Sequence, residues 1–238
     1  MKTLLWKIWF IFFMVLCLLA FILLMLCKLI LPKGAYRKVV QICTRFWGRT
    51  TVLSTGSTVT VVGAEKIPHD QSICYISNHQ GMFDIPLVLG FIDGPSGFIA
   101  KQELFKIPVL SWWMREIPCV FIDRASARKA MESFATSAEV IKSGHPLVLF
   151  PEGTRSRSDT MGAFHLGSFK LPIMANATIV PIAIKDTWKV YETDKHIHPV
   201  QLKLRVLDPI LPTDPIYTDK HALSEALHNL IRTAIEEM

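Results

Sequence analysis

The chain has 238 residues, half of them apolar and 19% charged, with a net charge of +6. That length suits one α/β domain with an anchor, or at most two small domains, and the apolar share excludes a disordered chain. The charge is lopsided: residues 1–64 hold eight of the 26 basic residues and no acid, the first being Glu65, so the basic excess lies wholly in the N-terminal quarter.

The first element is an uninterrupted run of twenty apolar residues, 8–27, bracketed by Lys7 and Lys28. At ~1.5 Å per residue it makes about 30 Å of helix, enough to cross a bilayer core. Trp6 and Trp9 sit at one end, where indoles favour the lipid–water boundary. A signal peptide is the rival reading, but its apolar part is usually shorter and a small-x-small cleavage site should follow; none precedes Pro32. Over residues 33–53, Tyr36, Val39, Val40, Cys43, Phe46 and Trp47 recur at three- and four-residue steps, with Lys33, Arg37, Lys38 and Arg45 on the other face. This predicts a basic amphipathic helix on an anionic membrane surface, or else a helix packed on its own domain with a solvated basic face. The basic charge thus points to lipid, and no nucleic-acid motif appears elsewhere. The five cysteines show no CxxC spacing, which signals neither zinc nor redox chemistry and leaves free thiols on the cytoplasmic side as the expectation.

After Ser54 the texture changes. Short β-branched runs predict strands at 58–62, 72–77, 97–100, 118–122, 146–150, 178–184 and 200–207. Helical patterns fall at 85–91, 102–115, 126–143 and 219–237. This alternation predicts an α/β fold: a central, mostly parallel sheet flanked by helices, preceded by an N-terminal two-helix membrane motif. The division is 1–54 for the anchor and interfacial helix and 55–238 for the α/β domain. Functional groups in such domains collect beyond the C-terminal ends of the strands.

Four of those ends carry notable residues. Ser77-Asn78-His79-Gln80-Gly81-Met82-Phe83-Asp84 follows a buried strand and precedes a helix. His79 and Asp84 would lie about 140° apart on a continuous helix, yet a strand–turn–helix bend lets them meet, with Gly81 giving the backbone room. A carboxylate on one imidazole nitrogen makes the other a general base for a hydroxyl. Alternatively, Asp84 only caps the next helix and His79 is a loop histidine. Phe150-Pro151-Glu152-Gly153-Thr154-Arg155 ends a second strand, and Phe121-Ile122-Asp123-Arg124 a third; Lys101 ends a fourth. Arg155, Arg124 and Lys101 beyond strand ends that also carry His79 predict an anionic substrate whose reacting hydroxyl lies beside the imidazole.

The ordered set of His79-x4-Asp84, Lys101-Gln102-Glu103-Leu104, Phe121–Arg124, Phe150–Arg155 and Ile179-Val180-Pro181-Ile182 resembles the motifs of the glycerolipid acyltransferase family, of the type that acylates 1-acylglycerol 3-phosphate. The resemblance spans residues 78–182. It implies direct transfer of a fatty acyl group from acyl-CoA or acyl carrier protein to the sn-2 hydroxyl of lysophosphatidic acid, giving phosphatidic acid, with no metal, no cofactor and no acyl-enzyme. It implies His79 as general base oriented by Asp84. Lys101, Arg124, Glu152, Gly153, Thr154 and Arg155 are implied as substrate-binding residues, Glu152 as organiser. Backbone donors near Gly153 are expected to meet the developing oxyanion. The implied place is a membrane, with the site on the cytoplasmic face, as at a bacterial inner membrane. The chain departs from the family at His165, where a fixed cation is usual, which leaves the head group open. Lyso-ornithine lipid, a different lysophospholipid or glycerol 3-phosphate as acceptor, a thioester hydrolase, and a non-enzymatic membrane scaffold are the alternatives. Phe105, Leu110, Trp112, Trp113 and Met114 read either as ordinary core or as lining for an acyl chain.

Overall fold

The computed structural model describes residues 2–69, 72–94, 97–122 and 126–238. Among them β1 (Thr58–Val62), β2 (Ile73–Ser77), β3 (Gly97–Lys101), β4 (Val120–Ile122), β5 (Leu147–Leu149), β6 (Thr178–Lys185) and β7 (Gln201–Val206) form one sheet in the order β1-β7-β6-β2-β5-β3-β4. Every adjacent pair is parallel except β6–β7. The five strands β2 to β6 therefore all end at the same edge. The central strand β2 reads Ile-Cys-Tyr-Ile-Ser and is buried at all five positions, as a strand covered on both faces should be.

Helices cover both faces. Tyr75, Val148, Val180 and Ile182 face α1 (Lys2–Ile30), α2 (Lys33–Leu53) and α3 (Asp84–Phe91). Their neighbours Cys74, Ile76, Leu147 and Ile179 face α5 (Ala127–Lys142), α6 (Lys170–Ala175) and α7 (Lys220–Glu237). The switch from one face to the other with each residue is the two-residue repeat of a pleated strand. Ser126 Oγ caps α5 by accepting from Lys129 N, and the Asp219 carboxylate caps α7 by accepting from His221 N and Ala222 N, so both helices start where their capping residues stand.

Two predicted elements need correction. The helix expected over 102–115 is broken into a 3-10 turn, Gln102–Lys106, and α4 (Leu110–Glu116). Pro108 is the cause: it drives Ile107 out of helical geometry to φ −88°, ψ 110°. The short helix α6 was not anticipated, because it holds Pro172 and lacks a side-chain cap.

The 29-residue helix α1 is long and apolar enough to cross a membrane by length and composition. It runs antiparallel to α2 along the domain rather than away from it. Ile197 N donates to Thr3 Oγ1 (3.1 Å), Trp6 Nε1 to Ser54 Oγ (2.9 Å) and Trp113 Nε1 to the Cys17 carbonyl (3.3 Å), and Lys28 pairs with Glu116 at 2.8 Å. The opposite face of α1, with Leu5, Ile8, Phe12, Leu19, Leu23 and Leu26, is exposed, as are Ile42 and Phe46 of α2. Three of the five basic residues of α2 bond to the domain, while Lys33 and Lys38 are exposed: Arg37 donates to the Gly144 carbonyl, Arg45 pairs with Asp93 and Arg49 Nε donates to the Gly90 carbonyl. Of the two readings of that helix, the packed one describes these three arginines.

Candidate active site

The site is built where β2, β5 and β6 end. Asn78, buried directly after β2, grips β6: its Nδ2 donates to the Ile184 carbonyl and its Oδ1 accepts from Ile184 N, both at 2.8 Å. This clamp fixes where the following residue leaves the sheet. The loop after β5 is laced to it by the backbone, Ser156 N donating to the His79 carbonyl (2.8 Å) and Arg157 N to that of Gln80 (3.0 Å).

His79 and Asp84 meet. Nδ1 of His79 lies 2.6 Å from Oδ2 of Asp84, which is completely buried. The same oxygen accepts from Gln80 N at 2.7 Å and Gly81 N at 3.0 Å, and Oδ1 accepts from the Thr187 hydroxyl. A carboxylate surrounded by donors makes Nδ1 the protonated nitrogen of the neutral ring. The residue preceding α3 is Phe83 and no side chain caps the helix, so Asp84 reaches back into the turn rather than forward to cap. The imidazole is stacked on the Phe150 ring, centroids 4.2 Å apart and planes 16° from parallel. Its Nε2 has no hydrogen-bond partner among the described residues, and the side chain is 17% exposed. Gly81 is needed for a reason other than freedom to bend: a Cβ there would stand 3.0 Å from the Trp188 backbone.

Glu152 is an internal strut. Its Oε1 accepts from His79 N (2.6 Å) and its Oε2 from Gly162 N (2.7 Å), and it is 5% exposed. Burial raises its carboxyl above the ordinary value, opposed by those two N–H donors. Each of its carboxylate oxygens accepts a backbone N–H. Gly153 N donates to the Phe150 carbonyl at 3.0 Å, closing the turn. Thr154 is exposed at the tip.

The cations are placed unevenly. Arg155 stands in the loop laced to His79, its guanidinium 3.0 Å from Glu192 Oε1. Lys101 closes β3 and is exposed. The registers Phe98↔Val148 and Ile76↔Leu149 bring Lys101, Glu152 and His79 to nearly one level, with Lys101 two strands, or about 10 Å, from the histidine strand. Arg124 lies outside the described residues. His165 is exposed and its N–H donates to the Pro151 carbonyl.

Sequence reasoning missed Thr187 and Glu192. Thr187 is fully buried just past β6, a strand whose end faces the same edge. Glu192 accepts from both Arg155 and Met82 N (2.8 Å), tying a cation to the histidine turn. The strand-end rule that found His79 and Glu152 would also have found Thr187 had it been applied to β6; nothing in the spacing marks Glu192.

The geometry offers one oriented imidazole with an open nitrogen, beside cations at a sheet edge. A family model described as Acyltransferase matches residues 58–185, which contain all of these groups except Thr187 and Glu192. The chain is 29% identical over 188 residues to a 1-acyl-sn-glycerol-3-phosphate acyltransferase of Chlamydomonas reinhardtii, covering 77% of this chain and 56% of that protein. It is 30% identical over 188 residues to the human 1-acyl-sn-glycerol-3-phosphate acyltransferase alpha, covering 77% and 65%. It spans about half the length of several curated relatives it matches. The crystal structure of the 1-acyl-sn-glycerophosphate acyltransferase PlsC from Thermotoga maritima superimposes with a TM-score of 0.88 at 26% identity, covering 100% of this chain and 97% of that one.

Proposed function

Because the chain belongs to the acyltransferase family, we propose that it transfers a fatty acyl group from a thioester, acyl-CoA or acyl carrier protein, to the sn-2 hydroxyl of 1-acylglycerol 3-phosphate, giving phosphatidic acid. The observation that carries the reading is the 2.6 Å contact of His79 Nδ1 with a buried carboxylate, which leaves Nε2 as the basic nitrogen. In the step that follows, Nε2 takes the hydroxyl proton while the oxygen attacks the thioester carbonyl. The tetrahedral intermediate collapses, the C–S bond breaks, and the leaving thiolate recovers the proton from the imidazolium. Asp84 holds the ring in position and balances its transient charge. Glu152 keeps His79 N, and so the ring, in place. Arg155 and Lys101 supply the positive field for the acceptor phosphate, with Arg124 as a third cation.

The same reading puts the enzyme on a membrane. The exposed apolar face of α1 and the exposed Ile42 and Phe46 of α2 suit contact with acyl chains. Polar anchors at both ends of α1, Thr3–Ile197 and Lys28–Glu116, support a helix lying along the domain in the bilayer surface. Residues 1–54 are then the membrane motif and 55–238 the acyltransferase domain. Both donor types are cytoplasmic, which assigns the site to that face, at the inner membrane of a bacterium.

The test is lipid mass analysis of purified full chain incubated with 1-acylglycerol 3-phosphate and each donor in turn, beside lyso-ornithine lipid and lysophosphatidylcholine. Phosphatidic acid as the main product is expected. Free fatty acid without acylated lipid, or faster acylation of either zwitterionic acceptor, contradicts the assignment. An acyl group found covalently bound to the denatured protein after quenching overturns direct transfer.

A further inference from the structure

The segment between β3 and β4 leaves three large apolar side chains about half exposed: Phe105 is 42% exposed, Ile107 46% and Trp112 40%. None of these three is core, as an ordinary turn beside a sheet would require. They are also not isolated. Trp112 lies against Phe21 of α1, centroids 5.8 Å apart, and Phe105 lies under the Arg115 guanidinium at 4.3 Å. Between them is an open, mainly apolar hollow of about 330 Å³, lined by Phe21, Trp112, Arg115 and Glu116. Phe21 packs on the inward side of α1, so the segment meets the flank of α1 through the Phe21–Trp112 contact.

The charges fit the same partner. Lys106 and Arg115 are exposed and unpaired with any carboxylate among the described residues, and Lys101 stands at the head of the segment. Glu103 is the one exposed acid there. Glu116 is taken up by Lys28 and Tyr36. Aromatic side chains flanked by cations are the composition of a surface that sits at the headgroup level of an anionic bilayer.

We infer that residues 102–115 form a second membrane-contacting surface, in which Phe105, Ile107 and Trp112 enter the acyl region of the leaflet that holds α1 while Lys106 and Arg115 meet phospholipid phosphates. This rests on the membrane reading of α1. Its consequence is positional: the segment begins at Lys101, so it seats the catalytic edge of the sheet against the leaflet, and an amphipathic acceptor need not leave the bilayer completely to reach His79.

The experiment compares full-length protein with its Trp112→Phe variant on vesicles whose lipids carry bromine on shallow chain carbons. The emission difference between the two proteins reports Trp112 alone, and most of it should be lost on brominated vesicles. In parallel, flotation of wild type and a Lys106→Gln/Arg115→Gln variant is measured on phosphatidylcholine alone and on an equal mixture with phosphatidylglycerol. Wild type should gain on the mixture, and the variant should lose about fivefold of that gain per cation removed. A protein that floats with Trp112 emission unquenched, or whose gain survives the double substitution, overturns this inference alone. A protein that does not float overturns both this inference and the membrane reading.

Discussion

At the scale of single residues, the site is an exercise in satisfying one buried carboxylate. Asp84 receives Gln80 N, Gly81 N, the His79 ring and the Thr187 hydroxyl. Thr187→Val removes the one donor on Oδ1 without changing shape. It should cost about 1–3 kcal/mol of stability and lower kcat about tenfold, with the acceptor KM unmoved, as a looser imidazole predicts. Equal turnover in the two proteins would mean that Thr187 does not help to hold the ring. Glu152 gives a pH signature. Burial raises its carboxyl above 4.5, so the folded chain binds that proton more tightly than the unfolded chain. Stability is therefore lost as pH rises from about 4.5 through the folded value. Urea denaturation in detergent should show the stability of wild type minus Glu152→Gln falling over that rise, and a flat difference would contradict the burial argument. His79 and Asp84 were legible because they stand only five positions apart in the sequence. Thr187 was not, because 103 residues separate it from Asp84 and only the sheet order brings it there.

At the scale of elements, the closest packing is α2 on α3. A Cβ on Gly48 would come 2.5 Å from the Pro86 carbonyl and 2.6 Å from Gly90 N. Two helices this close need glycine on both sides. Gly48→Ala should destabilise by about 1–3 kcal/mol, because the helices must separate. Gly34→Ala, in the same helix but with nothing within 4 Å, should be neutral or stabilise by up to about 1 kcal/mol. Denaturation of both variants in detergent checks the contrast, and equal effects would show that helix propensity rather than contact decides. The strands were legible because the central ones are apolar on both faces and sit between turn residues. The break in the 102–115 helix was legible in Pro108 and was overridden by the apolar rhythm around it. The inward turn of Arg37, Arg45 and Arg49 was not legible, since the same pattern suits lipid phosphates or carbonyls such as those of Gly144 and Gly90.

At the scale of the whole molecule, the fold separates two jobs. One face of the sheet carries α5, α6 and α7, an ordinary soluble layer. The other carries α3 and then the α1–α2 hairpin, in which the outer surface of α1 is apolar and α2 exposes Lys33 and Lys38 beside Ile42 and Phe46. The N-terminus of α1 lies at the catalytic edge: Trp6 approaches Phe83 with centroids 6.2 Å apart, and Lys7 lies 5.7 Å from the Tyr191 ring centre. Tyr191 adjoins Glu192, which holds both Arg155 and the histidine turn. The apolar helix α1 and the sheet edge that carries His79 are thus joined by a few contacts, which suits the proposed enzyme acting on a lipid acceptor. The central claim, a single imidazole acting as base, is tested most directly by the turnover of His79→Ala with saturating donor and acceptor. The account predicts a kcat lower by about 10²–10⁴ with acceptor binding little changed. Turnover at the wild-type rate would contradict it.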